Sequence, residues 1–377
     1  MDFPSYVDEV VKDYKRMRML DLADPKYIDD IYKIVKTNCS YFMTEEEIKI
    51  SFDCIHDILK KNDFLRYEVW NPTTIIVSPD IIIGLENVPQ PDQKTSEWYS
   101  FRHDHITASN AWKAMSTQAN KNQLIYEKCL PMNSEKFKPS LNENSLTWGH
   151  KYEPLSTQMY ELKMNTQVKE FGCIEHPMYK FLAASPDGII VGKNNYGRML
   201  EIKNVVSRVI DGSPKKEYYV QMQLQMEVCN LDECDFVETK FIEYDGYQQF
   251  IEDKDDKEKG VIVVFIEDNK FVYEYMPFGS NMDEWVACQK ETDTRKWFKN
   301  IYWKLDVFSC VLVKRNKEWF TAAIRYLEDL WKIVCEERQT GEFVKRAPKK
   351  RTQSQSQCSM ITSLNSSLSS ALSEDLP

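Results

Sequence analysis

No run of about 18 or more consecutive apolar residues occurs in the chain, so a membrane-spanning helix and a membrane partner are not expected. The opening residues Met1-Asp2-Phe3-Pro4-Ser5 lack the basic-then-apolar layout of a secretory signal, so an intracellular location is expected. The ten cysteines are scattered, and only Cys229 and Cys234 lie close in sequence. No Cys-x-x-Cys occurs. That pattern predicts reduced thiols in a cytosolic or nuclear setting and speaks against a disulfide framework. It also speaks against zinc fingers and cysteine-held iron–sulfur clusters. No Gly-x-x-x-x-Gly-Lys-Ser/Thr loop is present, which argues against helicase-type nucleotide hydrolysis. Positive charge is short as well. Lys and Arg number 49 against 59 Asp and Glu, a net charge of −10. Bulk charge therefore does not advertise a nucleic-acid binder, unless the cations are concentrated in one groove. A site that gathers carboxylates around a metal would also add acid.

What is present supports a sizeable core, since 42% of the 377 residues are hydrophobic and 12% aromatic. Residues 1 to about 70 read as helices. Val7, Val10, Val11, Tyr14 and Met17 recur at helical spacing, as do Tyr27, Ile28, Ile31 and Ile34. Ile48, Phe52, Ile55 and Leu59 repeat the pattern after Thr44-Glu45-Glu46-Glu47, which resembles a capping box. The stretch 88–94, with Pro89 and Pro91, reads as a linker. Helices are expected after Thr107-Ala108-Ser109-Asn110, over about 148–163 and, with an amphipathic pattern, over 217–229. Strands are expected at 168–176, 181–184, 189–191, 199–203, 236–244, 261–267 and 270–276, the last two joined by a tight turn at Asp268-Asn269. The final third reads as helical around Trp285, Trp297 and Phe298, with a strand at 308–313 and a long helix over 317–337. We expect three regions: a helical extension (1–90), a main domain (91–340), and a disordered tail (341–377). That tail is basic around Lys345, Arg346, Lys349, Lys350 and Arg351, then rich in Ser and Gln. The tail reads either as a solvated segment or as a nuclear-import signal or auxiliary DNA arm.

The chemistry-bearing pattern is Ser185-Pro186-Asp187-Gly188 followed by Glu201-Ile202-Lys203. Ser-Pro-Asp-Gly alone is a common turn, and Glu-x-Lys alone a common surface pair. Together they make a constellation. The turn sets Asp187 at the start of one strand, and a short hairpin returns the chain beside it. Residues 201 and 203 are two apart on a strand, so both point to one face while Ile202 points to the core. Two carboxylates and an ammonium then converge. Hard cations such as Mg²⁺ prefer such oxygen ligands, and a bound ion lowers the pKa of its water. Lys203 is placed to orient or deprotonate that water and to stabilise transition-state charge. Ser78-Pro79-Asp80 with Ile81-Ile82-Ile83 echoes the motif but has no Glu-x-Lys downstream, so Asp80 reads as a turn residue. Glu153, in Trp148-Gly149-His150-Lys151-Tyr152-Glu153, is a third candidate carboxylate, or an acid near a helix N-terminus. Tyr218, Gln221 and Gln225 share one side of the helix over 217–229. That side is either solvated or turned to the metal-bound water or a phosphate. Arg208, Lys215 and Lys216, with Lys203, are candidate phosphate contacts.

Gly-x-x-x-Glu, Ser-Pro-Asp-Gly, Glu-x-Lys and Tyr-x-x-Gln, in this order, resemble the lambda exonuclease and YqaJ-type viral recombinase family of the PD-(D/E)xK nuclease superfamily. The likeness begins at Trp98-Tyr-Ser-Phe-Arg102 with Ile106-Thr107-Ala108-Ser109. It ends with Val311-Leu-Val-Lys-Arg-Asn-Lys-Glu-Trp319 and the last helix, covering roughly 97–337. The resemblance implies an α/β (α+β) restriction-endonuclease-like core, a mixed central β-sheet flanked by helices. It implies a Mg²⁺ site, also open to Mn²⁺, with Asp187, Glu201, the Ile202 carbonyl and Glu153 as ligands. Lys203 would be the catalytic lysine, Tyr218 and Gln221 the adjoining helix motif, and Arg102, Ser109 and Ser185 the holders of a DNA 5′-phosphate. The implied partners are double-stranded DNA ends, a single-strand annealing recombinase, and copies of the chain in a trimer. The extension over 1–90 and the basic tail depart from the phage pattern and suggest a eukaryotic, virus-infected cell. Three functions stay open at this stage. They are a 5′-to-3′ exonuclease used in recombination, repair or genome processing, an endonuclease with the same site, and a catalytically retired DNA-binding scaffold.

Overall fold

The computed structural model describes residues 2–40, 43–44, 46–47, 52–62, 64–72, 75–132, 145–268 and 270–348. The expected tail beyond 348, and Asn269 of the expected turn, lie outside these residues.

The N-terminal helices form where apolar residues recur on one side. Val7, Val11 and Tyr14 of α1 (Phe3–Arg18) are buried. So are Tyr27, Ile31 and Val35 of α2 (Tyr27–Cys39). Asp2 caps α1 by accepting from the Ser5 N–H at 2.8 Å. The Thr44 and Glu47 side chains bond each other's backbone N–H ahead of α3 (Phe52–Lys61), as the capping box requires. A two-residue strand, β1 (Glu68–Val69), leads on to α4 (Pro79–Asn87). Ser78 caps α4 by accepting from the Asp80 N–H. Asp80 therefore sits in a first helical turn, and Ile81–Ile83 are helical.

The chain continues through α5 (Ser96–His103), β2 (Ile106–Thr107), α6 (Ala108–Ala111), α7 (Gln118–Cys129) and α8 (Ser145–Met164). Five short strands follow: β3 (Val168–Lys169), β4 (Ile174–Glu175), β5 (Leu182–Ala184), β6 (Gly188–Ile190) and β7 (Met199–Asn204). Then come α9 (Lys216–Cys229), β8 (Glu233–Glu243), α10 (Tyr247–Glu252), β9 (Lys259–Glu267), β10 (Lys270–Tyr275), α11 (Met282–Thr292), β11 (Lys296–Lys314) and α12 (Lys317–Thr340).

Eight strands form a mixed sheet in the order β10-β9-β11-β8-β7-β6-β3, with β1 paired to β11. Among the described residues only β7 and β8 run parallel within it, joined by α9 as the crossover. Strands β2, β5 and β4 make a second, small sheet. The expected mixed sheet flanked by helices is the observed architecture. Helix α8 covers one face: Tyr152, Leu155 and Met159 pack on Phe241, Ile262 and Trp303, and Tyr160 packs on Leu200, Ile202 and Val237. Helix α9 lies on the other, and α12 packs on α9. There Met222, Met226, Trp319 and Leu327 share one continuous core with Val7, Val11 and Ile31 of the N-terminal helices.

A buried ionic cage ties the layers together. Arg198, 1% exposed, reaches Glu233 at 2.8 Å, Asp235 at 3.0 Å and the Asn71 carbonyl at 3.0 Å. The other Asp235 oxygen accepts from Tyr160 at 2.5 Å and Trp70 at 2.9 Å.

Several expectations need correction. Trp297 and Phe298 lie in the 19-residue strand β11, not in a helix. The expected strand over 168–176 is two separate two-residue strands. Helix α9 is buried almost all round instead of amphipathic, with Gln223 and Gln225 inside. Glu153 lies mid-helix in α8, directly before Pro154, and not in a first turn. Glu342–Arg346, at the head of the expected tail, form a 3-10 turn in which Arg346 pairs with Glu337 at 2.6 Å. Among the described residues no helix is long and apolar enough to cross a membrane.

Candidate active site

The site is built on the β6–β7 hairpin, whose register sets Gly188 opposite Leu200 and Ile189 opposite Met199. Asp187 enters just before β6, and β7 runs on past the end of its partner. Its residues 201–203 therefore lie beside Asp187. A Cβ at position 188 would overlap the Val168 side chain of β3, so the glycine of the turn is what lets three strands close at this corner.

Asp187 accepts from the Ile202 N–H at 2.7 Å. In a strand the N–H and C=O of one residue face the same edge, so the Ile202 carbonyl also faces the Asp187 side. Ile202 itself is buried against Tyr160 and Val237. Glu201 is fully buried. One of its oxygens accepts from Lys203, and the other from Gln225 Nε2 at 2.8 Å. The Lys203 ammonium lies 5.0 Å from the centre of the Tyr218 ring. Beyond Lys203, Asn204 is fixed by Ser156 at 2.6 Å and Thr239 at 2.8 Å, and donates to the Gly149 carbonyl at 3.0 Å. This network ties the strand end to α8.

Electrostatics separate the groups. Burial, and then Glu201 beside it, push the Asp187 carboxyl well above the usual carboxylate range. Burial alone would lower Lys203, but Glu201 and Asp187 outweigh it and hold the ammonium charged. Glu153 adds to the negative potential at Asp187 and pairs with Lys94 at 3.5 Å. Among the described residues no group of three or more Asp, Glu, His or Cys side chains is close enough to hold an ion by itself. Asp187 and Glu201 are nonetheless a hard-oxygen donor pair, and a divalent cation beside them would relieve the repulsion that raises Asp187.

The three residues expected to hold a phosphate lie on a continuation of this network. Gln225 also donates to the Ser185 carbonyl at 3.2 Å. The Ser185 hydroxyl accepts from Trp98 Nε1 at 3.0 Å. The Arg102 guanidinium lies over that Trp98 ring at 4.2 Å and donates to the Ser109 hydroxyl at 3.0 Å. Among the described residues Arg102 has no carboxylate partner. Lys128 donates to the Arg102 carbonyl at 2.5 Å. Burial, and then Arg102, pull its ammonium down to about 7.

Arg208 is locked to buried Glu238. Gln221 is half-buried, and Lys215 is exposed. Sequence reading set Gln225 only beside Tyr218 and Gln221, and did not single out Trp98 or Lys128. The spacing Tyr218-x-x-Gln221-x-x-x-Gln225 was the one available signal for the contact to Glu201.

Asp187, Glu201 and Lys203 thus meet on a hairpin of the mixed sheet, beside a helix whose Gln225 bonds Glu201. Residues 97–232 match the model of the YqaJ-like viral recombinase domain family. The chain is 27% identical over 363 residues to an uncharacterized protein of Acanthamoeba polyphaga mimivirus, covering 82% of this chain and 64% of that protein. The chain thus spans less than two thirds of that relative. Among solved structures, an alkaline exonuclease (LHK-Exo) from Laribacter hongkongensis is 20% identical with a TM-score of 0.40, covering 67% of this chain and 98% of its own. A phage-related exonuclease from Haemophilus somnus 129PT is 13% identical with a TM-score of 0.36, covering 64% and 96%.

Proposed function

We propose that the chain is a metal-dependent deoxyribonuclease that hydrolyses phosphodiester bonds, acting as a 5′-to-3′ exonuclease on linear double-stranded DNA. The observation that carries this reading is one continuous network. Asp187, Glu201 and Lys203 meet at a strand corner, and Gln225, Ser185 and Trp98 lead from Glu201 to Arg102, which has no carboxylate partner among the described residues. A guanidinium forks onto a phosphate, so a terminal 5′-phosphate held by Arg102, Ser109 and Ser185 sets the strand end at a fixed distance from the carboxylates. Mg²⁺, or Mn²⁺, held by Asp187 and Glu201 with the Ile202 carbonyl and Glu153 as further ligands, supplies Lewis acidity and a more acidic water. Lys203 orients the attacking water and offsets charge on the phosphoryl oxygens. Gln225 fixes the rotamer of Glu201. Tyr218 confines Lys203, and Gln221 faces the water or the phosphate. Products of this kind feed strand annealing in recombination, repair or viral genome processing. An annealing recombinase, and a trimer of this chain around the duplex, are the partners this reading calls for. The nucleus or cytoplasm of a virus-infected eukaryotic cell is the matching location.

The test compares linear duplex DNA with a 5′-phosphate, the same duplex with a 5′-hydroxyl, and a closed circle, all with Mg²⁺. We expect the 5′-phosphorylated duplex alone to be degraded, and Lys203→Ala and Asp187→Ala to lower the rate by at least about 10²-fold. Cleavage of the circle would keep the site but make the enzyme an endonuclease. Binding without cleavage under either metal would leave a retired scaffold.

A further inference from the structure

Helix α9 carries a second feature on the side turned away from the hairpin. Lys216 and Val220, one helical turn apart, line a cavity of about 170 Å³. At 100° per residue, Tyr218, Gln221 and Gln225 fall on the other side of the helix, so the cavity is separate from the active site. Asp21, from the 3-10 turn Met19–Ala23, closes it from the N-terminal region. Lys121 of α7 and Trp319 of α12 close it from the body.

Its donors lack acceptors. Lys121 and Lys216 are half-buried. Among the described residues neither ammonium has a carboxylate within salt-bridge distance, although Asp21 lines the same cavity. Trp319 is 1% exposed, and among the described residues its Nε1–H, which can only donate, has no partner. Helix α9 starts at the cavity without a side-chain cap, because Lys215 at its N-cap provides none. Its first N–H groups and the positive end of its dipole therefore add to the same potential. Two cations, a buried N–H and an uncapped helix start call for one compact anion with several acceptor oxygens. A water molecule takes about 30 Å³ of liquid, so the space admits a tetrahedral oxyanion. It is smaller than the roughly 300–1,000 Å³ of pockets that enclose larger organic ligands.

We infer that this cavity binds a phosphate group, carried by inorganic phosphate or by a mononucleotide whose sugar and base stay outside. Bound there, the anion bridges the N-terminal region, α7, α9 and α12, and so steadies the helix that holds Gln225 against Glu201. The inference does not depend on the proposed nuclease activity, because its test reads binding.

The experiment uses the full chain, with thermal unfolding and the indole N–H resonance of Trp319, assigned through Trp319→Phe. Potassium phosphate, deoxyadenosine 5′-monophosphate and potassium chloride are compared at matched ionic strength. At saturation phosphate should raise Tm by about 2–4 °C over chloride and move the Trp319 resonance. The double variant Lys121→Gln/Lys216→Gln should fold and lose both effects. Equal shifts by phosphate and the nucleotide identify the phosphate group alone as the ligand. A larger nucleotide shift that the double variant also loses identifies the nucleotide. No phosphate effect beyond chloride, or an equal effect in the double variant, overturns the inference.

Discussion

At the scale of single residues, Asp187 holds its proton more tightly in the folded chain than an ordinary carboxyl does, first through burial and then through Glu201. Stability tied to the protonated form is fully present below the unfolded value near 4, and it is lost as pH rises through the raised folded value. At neutral pH the carboxylate therefore works against the fold. Asp187→Asn removes that opposition and keeps an oxygen for the Ile202 N–H. We expect Asp187→Asn to melt about 2–4 °C above the wild type at pH 8, and the two curves to merge below about pH 4. Thermal unfolding against pH checks this, and a less stable variant at pH 8 would contradict it. The same residue is needed for the proposed chemistry, which is the usual conflict between stability and a charged site.

Elements depend on close approaches that single residues permit. Gly188→Ala would drive a methyl into Val168 of β3, with an expected loss of about 1–3 kcal/mol. Gly188→Ala/Val168→Ala should recover most of it, since the clashing methyl is gone; denaturant midpoints measure both. The corner that Gly188 permits was legible in the sequence because Asp187, the turn and Glu-x-Lys fall within one local hairpin. The cluster proposed to hold a phosphate was less so. Trp98 meets Ser185 across 87 positions, and no short-range pattern reports such a contact. Strand β11 was misread for a local reason. Its register against β9 shifts between Trp297 and Lys299, so a bulge at Phe298 breaks the two-residue alternation that marks a strand. Helix α9 looked amphipathic because its glutamines look solvated. In fact Gln223 donates to the Lys314 carbonyl at 2.9 Å and accepts from the Asn316 N–H at 2.7 Å, and backbone groups this remote cannot be read from spacing.

At the scale of the molecule, the N-terminal region is a structural part of the body. Its apolar side chains lie in the same core as Met222 and Trp319, and Trp70 and Asn71 complete the cage around Arg198. Deleting residues 2–72 should leave a chain that is insoluble or lacks a cooperative transition, because a buried charge network loses partners and an apolar face is bared. A soluble remainder with one sharp thermal transition would show that the region is separable. The pairing of Val69 with Val311 also sets an order in time. At about 5–20 residues per second of synthesis, β1 leaves the ribosome roughly 12–48 s before its partner strand exists. Through that interval α1, α2 and α3 can pack on one another, but the 3-10 turn Met19–Ala23, which rests on α9 and α12, has no body to cover it, so the nascent N-terminus is a natural client for a holding chaperone.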